Sequence, residues 1–135
     1  MTAGYSGTPL AKKLTLRHGQ RCWFLNMPGT VREEIEDYGL ELVIVGEPEE
    51  GTEAVHIFVT DGTKLANHLA KLRTLIAKDG QVWVSWPKKG SGMETALDQG
   101  AVQRLGLDAG FVDIKKCAID EIWSGLKFVI PKVDR

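Results

Sequence analysis

The chain has 135 residues, 43% of them hydrophobic, and a formal net charge of −1 at pH 7. A chain of this length buries about two-thirds of the surface that its unfolded form exposes, so it needs neither a disulfide nor a metal to fold. It contains no apolar stretch of 18 residues, and residues 1–7 lack the basic start and apolar core of a signal peptide. We therefore expect a cytoplasmic protein with no membrane partner.

The charges are separated along the chain. Residues 31–61 carry ten of the 18 acidic residues and a single basic one, Arg32. Proteins that coat nucleic acids need a continuous basic face, because their binding depends on neutralising many phosphates. This distribution argues against a nucleic-acid partner.

The first predicted element is a short helix that has Thr8 as its N-cap and Pro9 as its first helical residue, and that ends before Gly19. Strands and helices then alternate, and their uninterrupted apolar runs are typical of parallel strands covered on both faces. We expect strands at residues 21–26, 42–45, 55–59, 82–86, 111–119 and 126–130, and helices at residues 30–38, 63–78 and 91–109.

Two of these helices carry clear local signals. The helix at residues 63–78 has one apolar stripe at helical spacing, formed by Leu65, Leu69, Leu72 and Ile76. Ser91-Gly92-Met93-Glu94 matches the capping box S-x-x-E and predicts a helix N-terminus at Ser91. Gly100 and Gly106 are expected to weaken that helix locally.

The connections between strands predict a sheet order. The turn between the last two strands is too short for a crossover, so these strands must be antiparallel. With right-handed crossovers elsewhere, the strands are expected in the order second, first, third, fourth, sixth, fifth, with only the sixth antiparallel to the rest. This order places Cys22 and Cys117 several strands apart, so both are expected to be free thiols. The histidines and cysteines have no metal-ligand spacing, and we expect no metal site.

The succession of parallel strands, a helix, Ala109-Gly110-Phe111 and a terminal hairpin resembles the class I S-adenosylmethionine-dependent methyltransferase fold over about residues 20–131. A closer resemblance, over nearly the whole chain, is to an uncharacterised family of small bacterial proteins known only as a domain of unknown function. The matching segments are Gly4-Tyr5-Ser6-Gly7-Thr8-Pro9-Leu10, Trp83-Val84-Ser85-Trp86-Pro87-Lys88-Lys89 with Ser91-Gly92, and Asp120-Glu121 with Trp123-Ser124-Gly125-Leu126-Lys127-Phe128.

These resemblances imply an α/β fold in one domain over residues 1–135, with a short N-terminal helical arm at about residues 1–19. The domain is expected to be a trimmed, methyltransferase-like and Rossmann-like open twisted sheet, mostly parallel, that ends in an antiparallel β-hairpin.

The loop after the first strand departs from the methyltransferase pattern. Such enzymes usually have an acidic residue at the end of this strand and three spaced glycines after it. Here the loop reads Asn26-Met27-Pro28-Gly29, with one glycine beside a proline that has no N–H to donate. The resemblance still implies a cofactor contact at Asn26, a ribose contact at Glu47 and an adenine contact at Asp61. The alternative for each carboxylate is an ordinary solvated loop residue.

A second candidate site lies where the carboxyl ends of the parallel strands converge, which is where open α/β sheets bind ligands. Lys88, Lys89, Ser91 and Gly92 lie at the start of the expected helix, whose dipole and free N–H groups favour an anion. The alternative is that Ser91 only caps the helix and the lysines are solvated.

Aromatic and turn residues complete this second site. Trp86 and Trp123 are expected at its rim, where they could flank an apolar part of the ligand or act as core residues. Asp120 and Ser124 belong to the hairpin turn that faces it. Asp120 and Glu121 could instead pair with the lysines as a structural latch.

The sequence therefore favours a cytosolic binding or regulatory module on a degenerate methyltransferase-like scaffold, with no cofactor and with an anionic small molecule as its partner. One alternative is a divergent S-adenosylmethionine-dependent methyltransferase that uses Glu47 and Asp61. Another is an enzyme or sensor that recognises an anionic metabolite through Lys88, Lys89 and Ser91.

Overall fold

The computed structural model describes residues 7–135. Part of the expected N-terminal arm, including Gly4-Tyr5-Ser6 of the first matching segment, lies outside the described residues. The strands are β1 (Arg21–Leu25), β2 (Val43–Ile44), β3 (Ala54–Phe58), β4 (Gln81–Pro87), β5 (Val112–Ala118) and β6 (Trp123–Val129). The helices are α1 (Leu10–Lys13), α2 (Gly29–Asp37), α3 (Gly62–Leu75) and α4 (Gln99–Asp108), followed by a 3-10 turn at Lys132–Asp134.

The six strands form one sheet in the order β2-β1-β3-β4-β6-β5. β1 pairs in parallel with β2 and β3, β3 pairs in parallel with β4, and β6 is antiparallel to both β4 and β5. This confirms the predicted order and the predicted α/β class with a C-terminal antiparallel hairpin. Cys22 and Cys117 are free, and three strands separate β1 from β5.

Each face of the sheet has its own apolar core. On one face α3 contributes the predicted stripe, with Leu65, Leu69 and Leu72 fully buried against Val55, Val82 and Phe128. On the other face α1 and α2 cover Cys22, Phe58 and Trp83 with Leu10, Val31 and Ile35. Strands β3 and β4 are buried along their whole length, as expected of parallel strands covered on both sides.

The first helix is shorter than the sequence predicted. It begins at Leu10, after Pro9, and ends at Lys13, well before Gly19. Thr15 then adopts a left-handed conformation with φ 56° and turns the chain, while Leu16 N donates to Ala11 O. A residue in this conformation is the usual way to end a helix, and it leaves residues 14–19 to run back toward β1.

The predicted start of the fourth helix at Ser91 is wrong. Residues 88–98 form an irregular loop, and α4 begins at Gln99 with Asp98 as its N-cap, whose carboxylate accepts a hydrogen bond from Ala101 N at 2.8 Å. Ser91 Oγ instead accepts from Met93 N at 3.3 Å within the loop. The hydroxyl bonds two residues on rather than three, so the capping box does not form, and the aspartate nearer the apolar run is the cap.

Within residues 7–135, no helix combines the length and the apolar composition that would be needed to cross a membrane.

Candidate functional site

A cavity of about 330 Å³ opens at the carboxyl ends of β1 and β3. The chain leaves β1 toward α2 on one face of the sheet and leaves β3 toward α3 on the other, so this is the point at which the connections change sides. Open α/β sheets bind ligands at such points. We call this the switch-point cavity.

The switch-point cavity has an aromatic wall. Phe58 and Trp123 both line it, and their rings meet edge to face with centroids 5.1 Å apart. Trp123 is only 8% exposed and belongs to the core under α1 and α2. The ring therefore forms a fixed part of the wall, held by the same packing that builds the fold.

Polar groups enter the same cavity from β1 and β3. Asn26 has a left-handed conformation with φ 55°, and its side-chain amide donates to Phe58 O at 3.5 Å. Asp61 Oδ1 accepts from Thr63 N at 2.8 Å and from Lys64 N at 3.0 Å, which makes this carboxylate the N-cap of α3. The structure therefore places Asn26 and Asp61 together, and gives Asp61 a capping role that the sequence analysis did not predict.

Two further polar residues line the cavity from the first turns of α3. Lys64 is exposed, whereas His68 is half-buried with its ring tilted against Trp23 at a centroid distance of 6.0 Å. Burial, and secondarily the positive charge of Lys71, lower the pKa of His68 below its ordinary value. His68 is therefore a neutral imidazole at neutral pH, able to donate or accept a hydrogen bond.

The sequence analysis missed Lys64 and His68. A usable signal existed, because they stand four residues apart in the first two turns of a helix that directly follows a buried strand. The first turns of a helix that follows a parallel strand lie near the carboxyl edge of the sheet.

A second cavity of about 700 Å³ lies beside the first, lined by residues 87–90 and 93–98. We call it the loop cavity. Met93 lines both cavities, and Thr95 Oγ1 donates to Thr60 O at 2.7 Å. This hydrogen bond holds the long loop before α4 against the short loop before α3, so the two cavities share one wall.

Lys88 contacts the hairpin turn, as predicted, but it bonds to backbone carbonyls of the turn and not to the carboxylates. Its ammonium donates to Asp120 O at 2.7 Å, and its N–H donates to Ile122 O at 2.7 Å. The Asp120 carboxylate instead accepts from Ile122 N and Trp123 N, each at 2.8 Å, and so closes the turn. Lys88 and Asp120 thus form a latch between loop and hairpin, while Lys89 remains exposed.

The electrostatics of the loop cavity are mixed. Lys88 and Lys89 line it together with Glu94 and Asp98. Because α4 begins at Gln99, no helix N-terminus follows Ser91 and Gly92, and the expected helix dipole is absent at that point. Gly92 has a left-handed φ of 89° in the loop.

The remaining predicted residues do not meet at one place. Trp86 is 4% exposed and packs in the core beneath α3 and α4, on the opposite side of the sheet from Trp123. Ser124 is the cross-strand partner of Trp86. The two tryptophans therefore cannot flank one ligand, which corrects their expected placement at a common rim. Glu47 lies on the exposed loop after β2 and does not line the switch-point cavity.

The fold defines the broad class to which the chain belongs, a Rossmann-like methyltransferase fold. A methyltransferase from Aquifex aeolicus described as S-adenosylmethionine-dependent superimposes with a TM-score of 0.63 at 10% identity, covering 88% of this chain and 86% of that one. Aeropyrum pernix fibrillarin, solved with natively bound S-adenosyl-L-methionine, gives a TM-score of 0.55 at 10% identity over 94% of this chain and 71% of that one. At these identities the similarity establishes the fold alone.

A family model covers most of the sequence. Residues 14–132 match the model described as Protein of unknown function (DUF3052), and the chain belongs to this family. No curated protein sequence matches the chain.

Proposed function

We propose that this protein is a binding module that recognises a small anionic molecule at the switch-point cavity, on a methyltransferase-like scaffold that does not use S-adenosylmethionine. The observation that carries the proposal is the contrast between the two sides of this cavity. The α3 side offers an exposed lysine, Lys64, and a neutral imidazole, His68, while the β1 side offers few groups suited to the cofactor.

The β1 side supports the absence of cofactor binding. The strand ends in Asn26, so no carboxylate stands there, and Pro28 immediately precedes α2 with no N–H to donate. Met27 packs against the core under α1 and α2, where a glycine would leave room for a ligand to approach the backbone. The carboxylate of Asp61 already accepts two backbone hydrogen bonds, and Glu47 lies outside the cavity.

A cavity of this size suits a metabolite. Small-molecule sites generally have volumes of about 300 to 1,000 Å³ and combine apolar walls with a few polar groups. Here Phe58 and Trp123 supply the apolar wall, and Lys64 supplies the positive charge for a carboxylate or phosphate.

The alternative function, a divergent S-adenosylmethionine-dependent methyltransferase, is favoured by one observation, the structural similarity to proteins that bind this cofactor. Calorimetric titration separates the two functions. We expect no saturable heat with S-adenosylmethionine or S-adenosylhomocysteine up to millimolar concentration. A micromolar dissociation constant would overturn our proposal in favour of the methyltransferase.

The positive test is a thermal-shift screen of carboxylated and phosphorylated metabolites. A genuine ligand should lose its stabilising effect in Lys64→Ala and in His68→Ala, and should keep it in the matched control Asn67→Ala, an exposed residue of the same helix that does not line the cavity. Hits that respond equally in all three variants would place the binding site elsewhere.

A further inference from the structure

Three cations lie on or beside the hairpin, on the sheet face covered by α1 and α2. Lys115 of β5 and Lys127 of β6 are direct cross-strand partners. Arg17 lies on the segment between α1 and β1, two residues after Thr15, whose hydroxyl accepts a hydrogen bond from Lys127. Like charges placed directly opposite one another in a sheet destabilise it. A negative charge placed beside them would relieve this repulsion.

Among the residues that the structure describes, no carboxylate lies within ion-pair distance of these three cations. Carboxylates form ion pairs instead with His18, Arg21, Arg32 and Arg73. Residues 1–6 contain no aspartate or glutamate that could supply a negative charge.

The ammonium of Lys127 is the most strongly affected by this lack of a negative charge. It is half-buried and donates to Thr15 Oγ1 at 2.8 Å. Burial, and then the positive charges of Lys115 and Arg17, lower the pKa of Lys127 below its ordinary value. A bound anion would reverse both effects, since it would hydrogen-bond the charged form and offset the neighbouring cations.

Thr15 fixes the position of that ammonium at a conformational cost. It is a β-branched residue with φ 56°, where glycine is the usual choice. Its hydroxyl also lies 2.6 Å from Leu14 O and 2.8 Å from Gln81 Oε1, while Gln81 and Trp83 donate to the same Leu14 carbonyl at 2.8 and 2.9 Å. A buried network thus orients the one hydroxyl that meets Lys127, as expected where strain is tolerated for a functional reason.

We propose that Arg17, Lys115 and Lys127 form a binding site for an oxyanion of the phosphate type. Lys115 donates one hydrogen bond, to Lys13 O at 2.7 Å, and Lys127 donates one to Thr15, so each ammonium keeps donors for a ligand. The guanidinium of Arg17 is exposed and can contact two phosphate oxygens at once. This site is separate from the switch-point cavity and does not rest on the function proposed for it.

The first test is thermal unfolding in increasing inorganic phosphate, with chloride used to keep the ionic strength constant. We expect a saturable rise in Tm of about 5 °C at ten times the dissociation constant. Arg17→Gln, an exposed change that should leave the fold intact, should weaken phosphate binding about tenfold. The control Lys71→Gln, an exposed lysine of α3 on the opposite face, should bind as the wild type does.

The second test measures the pKa of the Lys127 ammonium. In protein carrying ¹⁵N-labelled lysine, saturating phosphate should raise the pKa of the Lys127 ammonium, and Lys127→Met should abolish the phosphate-dependent rise in Tm. If Lys127→Met does not fold, Arg17→Gln and the titration of the wild type still decide the question. An unchanged Lys127 pKa in phosphate, a rise in Tm reproduced by chloride alone, or equal losses in Arg17→Gln and Lys71→Gln would overturn the proposal.

The source of the phosphate group is resolved by comparing inorganic phosphate with glycerol 3-phosphate in the same experiment. Tighter binding of the ester indicates a phosphorylated metabolite, and tighter binding of the free ion indicates inorganic phosphate. Either result supports an oxyanion site. Failure of both compounds to stabilise the wild type would exclude it.

Discussion

The loops that follow β3 and β4 make the same kind of connection, from a strand to a helix, but differ in length. Both lead from the carboxyl end of a buried parallel strand to a helix on the same face of the sheet, and both end in an aspartate N-cap, Asp61 or Asp98. The first loop spans residues 59–61, and the second spans residues 88–98. The second loop contacts the first where Thr95 bonds to Thr60. The switch-point cavity is lined by both loops, and the loop cavity is lined by the second loop and the end of β4. The site thus depends on a difference in loop length rather than on a difference in capping chemistry.

The far end of the long loop is fixed by the close approach of α4 to β6. Gly106 of α4 is buried, and a Cβ added to it would overlap the ring of Phe128. The sequence suggested only that Gly106 weakens the helix. In the structure, the missing side chain is what allows α4 to lie against the sheet.

The change with the largest expected effect is therefore Gly106→Ala. The added methyl must displace either α4 or Phe128, and overpacking of this kind should lower the free energy of unfolding by about 3 kcal/mol. Urea denaturation measures the loss. Gly100→Ala is the matched control, because it lies on the same helix with only Asp98 Oδ1 nearby, at 3.6 Å from the added Cβ. It should stabilise the protein by about 0.5 to 1 kcal/mol through helix propensity. Similar losses in both variants would show that α4 does not depend on this close contact.

The strands beneath the two loops are joined by a buried polar pair. His56 Nε2 and Ser85 Oγ lie 2.7 Å apart, and the His56 ring stacks on Phe58 at a centroid distance of 4.4 Å. In the described part of the chain His56 Nδ1 is buried without a hydrogen-bond partner. Burial lowers the pKa of His56 to about 3.

The pH dependence of stability should reveal this histidine. Its pKa is lower in the folded than in the unfolded chain, so its contribution is complete above the unfolded value of 6.5 and is lost as the pH falls toward 3. At pH 4.5 the loss should reach about 2 to 3 kcal/mol, from 1.36 kcal/mol per pH unit. Urea denaturation from pH 8 to pH 4 measures it.

A matched variant isolates the histidine from the carboxylates that titrate in the same range. His56→Leu combined with Ser85→Ala removes both partners of the buried pair, and its stability should fall less steeply with acid than that of the wild type. Parallel pH profiles would mean that the pKa of His56 is the same in the folded and the unfolded chain.

The sheet order was predictable because it depends on features that are local in sequence. Buried runs such as Val55-His56-Ile57-Phe58-Val59 identify central strands, and the short Asp120–Gly125 turn requires an antiparallel pair. The handedness of crossovers then leaves few arrangements.

The arrangement around the loop cavity was less predictable, because it depends on which of two residues, Ser91 or Asp98, begins α4. Ser91 matches a capping box, and Asp98 lies closer to the apolar residues that pack on the sheet, such as Val102. Only the packing of α4 decides between them. The positions of Trp86 and Trp123 were also not predictable, since neither their spacing nor their type shows that they lie on opposite faces of the sheet.

The assignment of Asp61 and Asp98, and not Ser91, as helix N-caps can be tested by substitution. Asp61→Ala and Asp98→Ala each remove a carboxylate that accepts backbone hydrogen bonds at a helix start, and each should lower the free energy of unfolding by about 1 kcal/mol. Ser91→Ala should change it by less than about 0.5 kcal/mol, since Ser91 bonds only within the loop. Urea denaturation of the three variants compares them, and a Ser91 effect as large as that of Asp98 would restore Ser91 as a helix cap.

The smallest expected effects separate the two adjacent lysines of the long loop. Lys88→Ala removes the ammonium that bonds to Asp120 O but keeps the backbone bond from Lys88 N to Ile122 O, so it weakens the contact between the loop and the hairpin turn and should lower the free energy of unfolding by about 1 kcal/mol. Lys89→Ala removes an exposed charge and should leave stability within about 0.5 kcal/mol of the wild type. Hydrogen exchange measures the local effect. Only Lys88→Ala should speed exchange at Ile122 N and Trp123 N, because their bonds to the Asp120 carboxylate close the turn. If instead both variants keep full stability and normal exchange, the Lys88 contact does not fix the turn, and both lysines are free to bind a ligand in the loop cavity.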